Sequence, residues 1–139
     1  MLQFVPFIWS ISLGAASISN ANPASRLEIG KAPMALVERR LRDLVMQQES
    51  WFVKQGRYGW NAYRAGVERK GDSTAFAEVH VEILYAGKIG WTALASHPSA
   101  PGKTCVVYVG FRERLPILPR TRQSAKEALL EGMPACDDR

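Results

Sequence analysis

Two cysteines, Cys105 and Cys136, are the only ones in the chain, and thirty residues lie between them. An even count favours a bridge wherever the compartment oxidises thiols. In chain-entropy models, closing a loop of this size stabilises by roughly 3–4 kcal/mol. A small domain has a net margin of only about 5–15 kcal/mol, so any fold for this chain is expected to bring these two positions together. The alternatives are weaker. Two cysteines lack the paired spacing of a zinc site, and His97 is the single nearby histidine, so no metal and no cofactor are expected. A bridged sulfur is not a nucleophile, which argues against a catalytic cysteine.

The N-terminus supports an oxidising compartment. Residues 1–25 carry no charged side chain, and 4–18 form an apolar run with Phe7, Ile8, Trp9, Ile11 and Leu13. That run is about 15 residues long, whereas a membrane-spanning helix needs roughly 20. Ser19-Asn20-Ala21 then places small residues where a signal peptidase reads them. Residues 1–21 are therefore expected to be a signal peptide cut after Ala21, giving an exported protein, periplasmic or at the cell surface. Two alternatives stand beside this. The run 4–18 stays as an inner-membrane anchor, or residues 1–30 reflect a misplaced start.

Residues 22–33 read as a polar linker, and 34–139 as one globular domain. The first strong periodicity follows Pro33. Met34, Val37, Leu41, Leu44, Val45, Gln48 and Phe52 recur at spacings of three and four, the signature of one helical stripe. Pro33 suits a first turn and Gly56 a position just past the end, so the spacing predicts an amphipathic helix of about 21 residues.

Strands follow the helix. Within 76–84, Val79, Val81 and Ile83 alternate with Glu78, His80 and Glu82, the period of a half-buried strand. Residues 89–96 form a second strand with Trp91, Ala93 and Ala95 on one face. Residues 105–111 form a third, apolar on both faces and therefore central. Short connections join them, which predicts an α+β fold: a long N-terminal helix packed on a three- to four-stranded antiparallel meander. In the tail, Ser124 with Glu127 three residues later fits a capping box, and Gly132 and Pro134 fit a stop. A short helix is expected over 125–131.

Candidate site residues are few. The loop holding Arg57, Tyr58, Trp60, Tyr63 and Arg64 interleaves rings with guanidinium groups, the pattern that stacks on bases while meeting phosphates. The ordinary alternative is that Trp60 and Tyr63 pack under the loop and the arginines are solvated. The net charge of +5 suits DNA, anionic lipid and acidic polysaccharide equally. His80 lies between Glu78 and Glu82 on a strand face that reads as solvated, and His97 before Pro98 reads as a turn cap. Neither histidine falls within a Gly-x-Ser-x-Gly or His-Glu-x-x-His motif, and no enzyme is expected.

Several segments together resemble type IV pilin-like proteins. GWTALASHPSAPGKTCVVYVG (90–110) and EGMPACD (131–137) are similar to that family's C-terminal region: a Gly-Trp strand, a His-Pro loop, a Pro-Gly-Lys-Thr-Cys turn into a strand, and a late Pro-x-Cys. LRDLVMQQESWFVKQGRYG (41–59) resembles the pilin helix that ends in Gln-Glu, aromatics and Gly-x-Tyr. The resemblance covers about 36–137. Residues 1–30 do not match the family's basic leader or its long apolar helix with an early Glu. The resemblance implies a pilin-like head, its tail pinned to the sheet by the C-terminal bridge. It also implies a non-catalytic subunit or accessory of a type IV pilus or type II secretion-like apparatus, whose partners are other pilin-like or secretion-apparatus proteins. The alternative is an exported domain that binds an anionic ligand such as DNA.

Overall fold

The structure is a computed structural model that describes residues 23–61 and 78–138, the side chains of 23–32 excepted. The expected signal segment, Tyr63, Arg64 and the start of the first expected strand lie outside the described residues. Helix α1, Pro23–Gln55, packs through the stripe read from the sequence: Met34, Val37, Leu41, Leu44 and Gln48 are fully buried. Its C-terminal end is the expected one. Gly56 takes a φ of +70°, and its N–H donates to the Phe52 carbonyl at 2.8 Å, closing the helix with a left-handed residue. Its start is earlier than expected. Pro33 lies inside the helix, and the stretch read as a linker is helical backbone from Pro23. Residues 24–32 are mostly good helix formers, and extending an existing helix costs far less than nucleating one.

Four strands form one antiparallel sheet in chain order: β1 His80–Ala86, β2 Gly90–Ser96, β3 Thr104–Gly110 and β4 Ala135–Cys136. The fold is therefore α+β, a helix on a four-stranded antiparallel sheet. Trp91, Ala93 and Ala95 of β2 and Cys105, Val107 and Val109 of β3 face the helix in one buried core. The small alanines of β2 leave room for the helix to sit close. Strand β1 contributes Val79, Val81 and Ile83 to the edge of that core. A register shift between Ile83 and Tyr85 inserts one extra residue, Leu84. The bulge sends Tyr85 to the outer face, opposite Thr92, and returns Ala86 to the core opposite Trp91. Gly90 pairs with Gly110, where the strands approach so closely that a Cβ on Gly110 would stand 2.2 Å from the Ile89 carbonyl oxygen.

The tail differs from expectation. Residues 125–131 form no helix. Ala125 has a φ of +51°, and Arg120 bridges to Glu127 as an isolated antiparallel pair. Ser124 does not cap a helix, because its N–H and its hydroxyl both donate to Asp137, at 2.8 and 2.6 Å. Glu127 turns instead to Arg112 and Arg120. A two-turn helix is marginal alone, and these tertiary partners outweigh its local propensity. The tail crosses the outer face, where Tyr108, Leu115 and Ala128 form a second buried cluster. It then returns as β4 beside β3.

Candidate functional site

Among the described residues, chemistry concentrates at two places, the clasp that fastens the tail and the start of the loop after the helix. At the clasp, Cys105 and Cys136 are register partners across β3 and β4, bridged with Cα atoms 4.0 Å apart. The bridge expected from the cysteine count is present. The next residue, Asp137, was not expected to matter and is 1% exposed. Its Oδ2 accepts from the Thr104 N–H at 2.9 Å and the Gln123 N–H at 3.1 Å. Its Oδ1 accepts from Ser124 as described. Burial alone would raise the Asp137 pKa. The Ser124 and Thr121 hydroxyls and the Thr104 and Ser124 N–H groups overcome that and hold it well below the usual carboxylate range. A carboxylate with this many donors cross-links three stretches of chain: the start of β3, the 121–124 turn and the tail.

The loop 56–61 is stitched to the fold. Gln48, buried on the helix stripe, donates to the Gly59 carbonyl at 2.7 Å and accepts from the Gly59 N–H at 2.9 Å. The Tyr58 N–H donates to the Gly87 carbonyl at 3.0 Å. Among the expected ligand-contact residues, Arg57 is exposed and Tyr58 is buried. The Tyr58 ring lies 4.6 Å from the Phe52 ring, and its hydroxyl donates to Glu49 at 2.9 Å. Burial, then the hydrogen bond and charge of Glu49, push its pKa up. Tyr58 thus serves the core and presents no free ring face to a ligand. Trp60 is 55% exposed and meets Tyr85 edge-on at 6.1 Å.

His97 does cap its turn. Nδ1 accepts from the Ser99 N–H at 3.0 Å, and Nε2 lies 3.4 Å from Glu78. Glu78 is thus drawn toward His97, and Glu78, His80 and Glu82 are all exposed. Among the described residues, no group of three or more His, Cys, Asp or Glu side chains could hold a metal ion. No helix among them is long and apolar enough to cross a membrane. An open cavity of about 320 Å³ beside the clasp is lined by Glu38, Lys126, Pro134, Cys136, Asp137 and Asp138. Lys126 is engaged by Asp138 and Glu38 by Arg42, so the lining charges already have partners.

Sequence reasoning found the bridge and placed Gln48 on the buried face. It missed Asp137, whose only sequence signal is its place next to a bridged cysteine. It also did not single out the exposed apolar side chains of the tail, Leu129 and Leu130 among them. No protein-family model matches the chain, and no curated protein matches it.

Proposed function

We propose that the chain is a non-catalytic, exported pilin-like protein, a subunit or accessory of a type IV pilus or type II secretion-like apparatus that works through protein–protein contacts. The observation that carries this reading is the Cys105–Cys136 bridge, which fastens the tail to the sheet whose core face receives the helix. That is the arrangement the resemblance implies for a pilin-like head. Bridges of this kind persist in oxidising compartments, which supports export to the periplasm or cell surface. Capture of the full chain from crosslinked native envelopes is expected to bring down pilus or secretion components. A monomer in sedimentation with no such component captured overturns the reading.

A second reading is favoured by one observation: Arg57 and Trp60 stand exposed on a loop that Gln48 holds in place. In that reading the loop stacks on bases of an anionic polymer such as DNA while Arg57 meets phosphate. Gel shifts at low salt test it. It expects binding that weakens steeply with salt and is lost in Arg57→Glu with Trp60→Ala.

A further inference from the structure

The two fastenings of the tail are neighbours in the chain and act on neighbouring residues of β3. Strand β4 is two residues long, and its ladder with β3 has two register pairs, Cys105 with Cys136 and Val106 with Ala135. One residue further on, the Asp137 N–H donates to the Thr104 carbonyl at 2.9 Å, and the Asp137 Oδ2 accepts from the Thr104 N–H at 2.9 Å. A side chain thus supplies the second hydrogen bond that a ladder pair would make between backbones. The same carboxylate accepts from Gln123 and Ser124. The Arg122 N–H donates to the Thr104 hydroxyl at 2.8 Å, which sets the 121–124 turn against the same residue of β3. None of these contacts involves sulfur, so the register that puts Cys136 opposite Cys105 has noncovalent support of its own.

Two constraints on one corner are thermodynamically linked. With the bridge open, the hydrogen bonds of Asp137 must hold the tail against its conformational entropy. With it closed, they form between groups already in place. By reciprocity, the bridge gains from the carboxylate as much as the carboxylate gains from the bridge. We propose that Asp137 is a positioning residue for the disulfide: its carboxylate seats the tail on Thr104 so that Cys136 meets Cys105, and the tendency of the two thiols to close depends on it. The bridge is then one half of a coupled latch, and opening it loosens the other half. The inference rests on the bridge and its surroundings and not on the subunit reading, and either can fail alone.

Equilibration of the full chain against mixtures of dithiothreitol and its cyclic disulfide tests it. Reduction breaks the Cys105–Cys136 S–S bond and passes two electrons and two protons to the sulfurs, while one dithiothreitol closes to its ring. Acid quenching, alkylation of free thiols and intact mass give the oxidised fraction. Asp137→Asn should lower the equilibrium constant for closing the bridge on the order of tenfold. Ser124→Ala removes the hydroxyl that donates to the Asp137 Oδ1. It should lower the constant about threefold, and it serves if Asp137→Asn fails to fold. Phe52→Ala weakens the core at the opposite end of β3. There the Phe52 ring meets Tyr58, Tyr58 bonds Gly87, and the neighbouring Ala86 lies across Trp91 from Val109. Its constant should stay within about twofold of the parent's. A constant for Asp137→Asn that matches the parent's overturns the proposal, as does an unchanged Ser124→Ala where Asp137→Asn does not fold. A fall in Phe52→Ala as large as in Asp137→Asn also overturns it, because the bridge would then be sensing global stability and not the carboxylate beside it.

Discussion

Asp137 shows how one side chain can hold a chain end. It gathers N–H and hydroxyl donors from Thr104, Gln123 and Ser124 while 1% exposed. Replacing it with Asn removes the charge and turns an amide toward groups that are themselves donors. The expected loss is about 2–4 kcal/mol in chemical denaturation near neutral pH. The pH dependence follows from the direction of its shift. The folded pKa lies below the unfolded value of about 3.9, so its stabilisation is complete above that value. It is lost as the pH falls toward the lower folded pKa. Asp137→Asn should therefore flatten the fall in stability below about pH 4; an unchanged acid limb would remove Asp137 as its source. None of this was legible from the sequence, because an Asp in a polar tail normally faces water. Only the fold makes it an acceptor for three stretches at once.

Helix and strands were legible, because each shows its period: three and four along α1, two along β1. The bulge at Ile83 and Tyr85 was not, since the alternation breaks only where it occurs. The expected helix over 125–131 failed because its capping signal, Ser124 with Glu127, is spent on Asp137 and on two arginines. Local preference yields where tertiary partners are better. The coupling between helix and loop makes a prediction at this scale. Gln48→Leu would fill the same buried space and leave both backbone groups of Gly59 without their partner. The expected cost is about 1–3 kcal/mol. Amide exchange should quicken at Gly59 before it changes in β2 and β3. Equal acceleration throughout would mean that Gln48 acts on global stability instead of on the loop.

In the whole molecule the sheet is a shared middle layer. The helix covers one face through Met34, Val37, Leu41 and Leu44, and the tail covers the other through Leu115 and Ala128. Two fastenings at the same corner keep the tail in place, the covalent bridge at Cys136 and the hydrogen-bonded carboxylate at Asp137. Both tie it to the first residues of β3. The bridge was readable from two cysteines, and the α+β order from periodicity. The candidate loop was readable only as a composition, and the structure divides it: Tyr58 enters the core while Arg57 and Trp60 stay outside. Function at this scale depends on the compartment, because a stapled, exported head and a reduced intracellular protein have different partners. The direct test is the intact mass and N-terminal residue of protein isolated from native cells without reductant. The account predicts a chain beginning at Asn22, recovered from the envelope, two hydrogens lighter than its sequence. A chain that keeps both thiols free and stays inside the cell would contradict it.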